Sequence, residues 1–389
     1  MKIYYVANIR FPTEKAHGLH IAHMCESFAR NNSVVKLIVP RRRNNISTDS
    51  YSFFSVDQLF SIVRLPTLDF VRFGRVGFLI QEWSFIASTV IYFLFKKDID
   101  IIYIRGEHDF QFFRKFFKNK KIFLETHIKP IDLEKKQALY KKASGIITIT
   151  QYYRNELINI GFNPEKVLWE PDAVDMRAFV PYSTKEALRK ELGLPLGRFI
   201  VGYVGKITTM GKDKGVNDLI QSFPIVWKSN KNSFLMLVGA EPSEQVEVSK
   251  KLIELGLPAD SFGIVNHVLY RQAARFMQAA DVLIMNYPNS AHYAYYMSPL
   301  KLFEYMASGT PIISSDLPSI REILSSENAM LVPPGDQEAL TEAIKNTIKD
   351  RTLVSKKAVQ AFQDVAKYTW DKRAKRILDF IKKNYENMV

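Results

Sequence analysis

Thiol chemistry is almost absent from this chain: its 389 residues include one cysteine, Cys25. One thiol excludes an internal disulfide framework and a cysteine-based zinc site, and it fits a reducing, cytoplasmic setting. No GxGxxG follows an apolar strand-like run, which disfavours a dinucleotide dehydrogenase. A P-loop is missing too, because Gly205 and Gly211 enclose five residues instead of four and Asp213 follows Lys212 where Ser or Thr would stand. The longest apolar run, Ser84 to Phe95, falls short of the roughly 20 residues that span a bilayer. Gln81 and Glu82 block its extension toward Phe78-Leu79-Ile80, so it predicts a buried helix. Residues Met1 to Ala7 lack the cationic start and small-residue cleavage site of a signal peptide, and predict a first strand. Solenoid repeats and low-complexity tracts are also lacking.

What is present is an alternation. Lys2–Asn8, Val34–Val39, Ile99–Ile104, Lys121–Glu125 and Gly145–Thr150 predict strands in the first half. Phe199–Val204, Ser233–Val238, Ser261–Val265, Val282–Asn286, Pro311–Ser314 and Ala329–Val332 do so in the second. Helical patterns separate most of them, such as the stripe Leu19, Ala22, Met24, Cys25 and Phe28. Strands alternating with crossover helices imply α/β domains with parallel sheets covered on both faces. The length predicts two such domains. The seam is expected near Val180–Leu196, punctuated by Pro181, Pro195 and Gly197. That gives an N-terminal domain over 1–180, a second over 190–366, and an amphipathic terminal helix within 367–389. Doubly wound sheets bind ligands beyond the carboxyl ends of their strands, so chemistry is sought in those loops.

Ser298-Pro299-Leu300-Lys301-Leu302-Phe303-Glu304 is the most informative segment. Serine suits an N-cap and proline the first helical position, predicting a helix from Pro299 that Gly309 and Pro311 end. A helix start offers N–H groups and a positive dipole end to a phosphate, and Lys301 adds charge. Glu304 lies about 7.5 Å along the axis from Pro299, within reach of ribose hydroxyls. On its own the segment is equally a packing helix. A second basic loop favours the ligand reading: Gly205-Lys206 follows the strand Phe199–Val204, and Lys212-Asp213-Lys214-Gly215 leads into a helix. Lys206 and Lys214 would neutralise a leaving diphosphate.

These residues resemble the family 4 retaining glycosyltransferases of the GT-B fold, from about Gly145 to the terminal helix. The resemblance rests on Gly205-Lys206 with Lys214-Gly215, Val238-Gly239-Ala240-Glu241, Ala280-Asp281-Val282, and Ser298 to Pro311. It implies two Rossmann-like doubly wound domains facing a cleft, with the C-terminal helix crossing back to the first. It implies that Lys206, Lys214 and Gly205 meet the diphosphate of a UDP- or GDP-sugar and that Glu304 meets the ribose. Backbone groups of Ser298, Pro299 and Leu300, with Lys301, would meet the diphosphate or sugar, and His267 and Val268 the base. The family's first glutamate falls on Tyr296, a departure in the part that holds the donor sugar.

In the first half, the Pro12–Gly18 loop resembles the family's glycine loop near donor and acceptor. Glu125-Thr126-His127 resembles the place of its active-site histidine, with His108 a competitor. His127 would hydrogen-bond the sugar or stabilise an oxocarbenium-like transition state; a lone histidine is more often structural, and its place at a strand end and the resemblance raise it above that. Asp98-Ile99-Asp100 has the form of a metal-binding DxD but lies at a strand start, which favours a structural role. No essential metal or other cofactor is expected, since helix-end dipoles and lysines supply the positive field.

Charge is uneven. Residues 1–150 hold 24 Lys and Arg against 13 Asp and Glu, a balance of +11, whereas 151–389 hold 30 against 27, a balance of +3. A basic first half suits an anionic partner. Three segments are candidates for a membrane surface: Phe110–Lys121, Arg41-Arg42-Arg43, and Phe70–Phe78. For the first, packing of Phe110, Phe113 and Phe117 on a sheet is the favoured reading. A membrane-bound, lipid-linked acceptor would explain all three; a glycan is the other acceptor expected. The alternatives are a sugar-nucleotide 2-epimerase and, in another class, a nucleic-acid-binding protein, for which no recognition motif exists.

Overall fold

Runs such as Ile3-Tyr4-Tyr5-Val6 and Ile101-Ile102-Tyr103-Ile104 are apolar on both faces, the pattern of strands buried between helix layers. In the computed structural model, which describes residues 1–96, 98–130, 133–181, 184–209 and 212–386, such runs build two parallel sheets. The side chains of residues 107, 108, 209, 212 and 386 lie outside the description, so His108 is not placed.

The first unit comprises Met1–Asp172 and Trp370–Val389. Its strands are β1 (Lys2–Val6), β2 (Val34–Pro40), β3 (Ser61–Leu65), β4 (Ile101–Arg105), β5 (Lys121–Thr126), β6 (Gly145–Thr148) and β7 (Val167–Trp169). They form one seven-stranded sheet in the order β3-β2-β1-β4-β5-β6-β7, every pair parallel. The helix Trp370–Glu386 packs on the helix Ala16–Arg30 of this unit. Asp98 and Asp100 bind the Lys2 ammonium and backbone N–H, at 2.9 and 2.8 Å, which ties the amino ends of β1 and β4 together.

The second unit is Ala173–Thr369. Its strands β8 (Phe199–Val204), β11 (Ser233–Ala240), β12 (Phe262–Asn266), β13 (Val282–Met285), β14 (Ile312–Ser315) and β15 (Met330–Val332) order as β12-β11-β8-β13-β14-β15. All pairs are again parallel. A small hairpin of β9 (Thr208–Thr209) and β10 (Lys212–Asp213) follows β8.

Four expectations shift. The division falls ahead of Val180, because Val174, Ala178 and Phe179 belong to the second core and Val174 bridges to Thr369. The first helix begins at Ala16, so Gly18 lies in its first turn instead of in a loop. The helix predicted from Pro299 begins at Leu300, with Pro299, at ψ 129°, as its N-cap in place of Ser298. Pro299 keeps a helical φ of −81° but an extended ψ, so it caps the helix instead of joining it. The run at Ser84–Phe95 is the end of a longer helix, Gly74–Leu94, that continues through Gln81 and Glu82, and only one side of it is buried. Together with the turn Val71–Phe73 it is long and apolar enough, by length and composition, to cross a membrane.

Candidate active site

In the second unit the argument starts at the end of β8. Pairing with β13 stops at Gly202, which leaves the Val204 backbone to find other partners on that side. Tyr305, on the helix Leu300–Ala307, accepts from the Val204 N–H at 2.9 Å and donates to Val204 O at 3.2 Å. One phenol therefore pins the helix to the strand end. One turn earlier, buried Lys301 donates from Nζ to the Tyr203 hydroxyl at 2.7 Å and lies 4.0 Å from that ring's centroid. The Tyr203 hydroxyl donates in turn to Lys206 O at 2.7 Å.

Glycine makes the close approach possible. A Cβ on Gly205, at φ +146°, would stand 3.0 Å from Lys301 Nζ. On the far side of the hairpin, Gly215 sits at φ +81° with Asn286 O only 1.3 Å from where its Cβ would be. That contact presses the Lys214 loop onto the end of β13.

Three ammonium groups thus share one electrostatic neighbourhood. Burial, and then Lys214, hold Lys301 well below the usual lysine range, with Glu304 opposing. Burial and Lys206 lower Lys214. Lys206 itself pairs with Glu241 at 3.0 Å. Glu304 is buried, and its charge adds to burial in raising Tyr270, Tyr287 and Tyr305. Val268 packs into the core shared with Leu302 and Phe303, whereas His267 is exposed. Tyr296, where the family has a glutamate, ends the short helix Ala291–Tyr295. Cationic groups crowd beside a helix start, with a buried carboxylate one turn on, an arrangement whose chemistry suits an anion that also carries hydroxyls.

The first unit holds a separate cluster. Glu125, at the end of β5, is buried and accepts from Arg373 Nη2 at 3.0 Å, from His127 Nε2 at 2.7 Å and from the Tyr103 hydroxyl. His20 Nδ1 lies 2.8 Å from Asp172 Oδ1. Its Nε2 is also 2.8 Å from Glu125 Oε1, but out of line for a hydrogen bond. Burial would raise Glu125, yet Arg373, His20 and His127 hold it well below the usual carboxylate range. Burial and the Arg105 guanidinium push His127 down to about 4, against the pull of Glu125. Burial, Arg105 and Lys15 push His17 down to about 3. His127 is therefore neutral at pH 7, donates through Nε2 and keeps Nδ1 as an acceptor. Its side chain stays 15% exposed.

Gly18 is filled from within: a Cβ there would meet Thr13 Cγ2 at 2.6 Å and Phe54 Cζ at 2.9 Å, so its closeness serves the packing of its own loop. His20, Glu125 and His127 each place one ligand atom within 4.8 Å of the others. The shared Glu125 oxygen already serves a guanidinium and an imidazole, and a dication there would adjoin buried Arg373, so the donor set does not fit a metal.

Arg105, Arg373, Tyr203 and Tyr305 were invisible in the sequence as site residues. The histidines had a signal, since His17, His20 and His23 recur every third residue along one helix.

Residues 198–350 match the family described as glycosyl transferases group 1, so the second unit carries a group 1 glycosyltransferase domain. The two units, each Rossmann-like and parallel-sheeted, together make up the GT-B fold. The chain is 24% identical over 216 residues to D-inositol 3-phosphate glycosyltransferase of Corynebacterium urealyticum, covering 53% of this chain and 48% of that one. It is 30% identical over 200 residues to 2-deoxystreptamine N-acetyl-D-glucosaminyltransferase of Streptomyces fradiae, covering 50% and 44%. The chain thus spans a little under half the length of these curated relatives. Anabaena HepE, solved with UDP and glucose, superposes with a TM-score of 0.73 at 17% identity, over 98% of this chain and all of that one.

Proposed function

We propose that the chain is a family 4 retaining glycosyltransferase that moves a sugar from a nucleotide-diphosphate sugar to a hydroxyl on a glycan or lipid-linked acceptor. Its setting would be cell-surface glycan or glycolipid synthesis on the cytoplasmic side. The supporting observation is the gathering of Lys301, Lys214 and Lys206 where β8 meets the Leu300–Ala307 helix. UDP and glucose in the HepE structure favour the same donor class.

In this reading the anomeric C–O bond to the β-phosphate breaks as the acceptor oxygen bonds to the same face of the sugar. The acceptor proton passes to a phosphate oxygen, so no protein base is required. Lysine ammonium groups and helix-end dipoles hold the charge that grows on the diphosphate. Lys206 would exchange Glu241 for phosphate, and Glu304 would accept from ribose hydroxyls. His127 Nδ1 would accept from a sugar hydroxyl.

A thermal-shift series with UDP, GDP, their monophosphates and nucleotide sugars tests the site, because a ligand that binds only the native state raises its melting point. A larger shift from diphosphates than from monophosphates is expected, and absence of any diphosphate shift would overturn the reading. The lysines stand where a metal ion would otherwise balance charge, so turnover is expected to survive EDTA. Retention is read from the product's anomeric NMR signal.

A further inference from the structure

The helix Gly74–Leu94 wears its polarity inside out. Gln81, Glu82 and Thr89 face inward and are buried, and Gln81 Nε2 donates to Asn8 Oδ1 at 2.9 Å. Phe73, Val76, Ile80, Trp83, Ile91 and Leu94 face outward at spacings of three, four or eight residues; Val76 is 68% and Leu94 69% exposed. Ala87, also exposed, fills the step between Trp83 and Ile91. A surface helix of a soluble domain shows the opposite arrangement. Of the three basic segments marked in the sequence, Phe70–Phe78 presents all three of its phenylalanines, Phe70, Phe73 and Phe78. In Phe110–Lys121, Phe110, Phe113 and Phe117 are buried, and Arg42 is paired to Asp69 at 3.2 Å.

Cations border the apolar stripe. Arg72 lies 4.7 Å from the Phe73 ring centroid, and Arg75 is exposed beside it. At the other end Lys96 lies 5.3 Å from the Tyr92 ring. Trp83 touches Phe112 of the neighbouring helix at 4.4 Å between centroids, and that helix adds exposed Phe116 and Lys115. Between residues 70 and 96 the one carboxylate is Glu82, and it is buried.

We propose that this face docks the protein in the plane of an anionic lipid bilayer, aromatic and aliphatic side chains in the headgroup boundary and Arg72, Arg75 and Lys96 on the phosphates. Spanning is excluded by the opposite face: Phe85, Ile86 and Phe93 are in the unit's core, and Phe93 meets Tyr4 of β1 edge-on at 5.5 Å. The helix cannot leave that core without unfolding the unit, so it lies flat. A second copy fits worse. Cations sit at both ends of the stripe, so two such stripes laid together set like charge on like charge in either orientation.

The surface is independent of the nucleotide site, and vesicle binding without nucleotide tests it alone. The full chain is expected to co-sediment at low salt with vesicles of equimolar phosphatidylcholine and phosphatidylglycerol, and far less with phosphatidylcholine alone. Val76→Gln with Ile91→Gln should cut the partition coefficient by about tenfold or more while leaving the melting temperature unchanged. Arg72→Glu with Arg75→Glu should abolish the preference for anionic vesicles. Failure to bind the anionic vesicles, or binding indifferent to the apolar pair, overturns the proposal. Concentration-dependent self-association lost in the Val76→Gln, Ile91→Gln protein, without vesicle binding, would assign the face to a second copy and overturn it equally.

Discussion

At the scale of single residues, Lys301 is a group the empty fold would be more stable without. Its ammonium is buried against a phenol and an aromatic ring, and burial with Lys214 depresses its pKa well below 10.5. A folded pKa below the unfolded one means that stability is whole only above 10.5 and is lost as pH falls below it. Lys301→Met keeps the apolar stem and discards the charge. It is expected to raise the melting temperature of the ligand-free protein and to weaken nucleoside diphosphate binding by about 2 kcal/mol, the scale of a charge-assisted hydrogen bond. Calorimetry of both states checks it; a destabilised protein with unchanged affinity would make Lys301 a structural residue. The first unit supplies a pH effect of determined sign. His127 falls from 6.5 to about 4 and His17 from 6.5 to about 3. Glu125 and Asp172 are also depressed. In every case the unfolded chain takes up protons first as pH falls, so these contributions are whole above about 6.5 and shrink on acidification. Melting temperature should drop between pH 7 and pH 4, and His17→Gln with His127→Gln should flatten that drop.

At the scale of elements, the second site depends on one helix held to one strand end. Tyr305→Phe removes the hydroxyl that serves both Val204 backbone groups. The cost is expected at about 1–3 kcal/mol in urea unfolding, because buried backbone groups lose a partner. Diphosphate affinity should fall with it, although the Tyr305 hydroxyl bonds only strand backbone among the described residues. Unchanged affinity would show that the helix is positioned by its apolar face alone. Elements of this kind divide sharply in how far they can be read from sequence. All six strands of the second sheet were legible: β8, β11, β13 and β14 are buried along their whole length, and the partly exposed edges β12 and β15 still carry short apolar runs. β3 and β7 were not: they are short sheet edges, and exposed Arg64 interrupts the apolar pattern of β3. The hairpin of β9 and β10 has two polar or charged residues on each side and no periodicity to betray it. In the site, Lys206, Lys214 and Glu304 could be named from spacing because each follows a strand or opens a helix. Arg373 could not, since 248 residues separate it from Glu125.

At the scale of the whole molecule, that separation becomes the argument. The chain leaves the first unit after Asp172 and returns to it at Trp370. The returning helix is bound by Arg373, which is fully buried and also donates to Pro171 O at 2.7 Å, and by the fork of Arg376 on Glu170 at 2.6 and 2.8 Å. Trp370 stacks on His23 at 5.7 Å and meets His20 edge-on at 5.1 Å. Ala374, Ile377, Leu378 and Ile381 are buried behind them. The first unit's fold therefore includes the last segment of the chain, whereas the lysine site and both of its anchoring tyrosines lie within Ala173–Thr369. Arg373→Met should strand the Glu125 charge and destabilise the first unit by about 3–5 kcal/mol, the usual result of removing one member of a buried pair. In the intact chain, a calorimetric scan should then show the first unit's transition moved down and the second's in place, with nucleoside diphosphate affinity unaltered. Adding Glu125→Gln should recover part of the loss, because the orphaned charge goes with it. If Arg373→Met lowered both transitions together, or weakened the diphosphate, the two units would be one cooperative body and the buried pair would be serving the whole molecule.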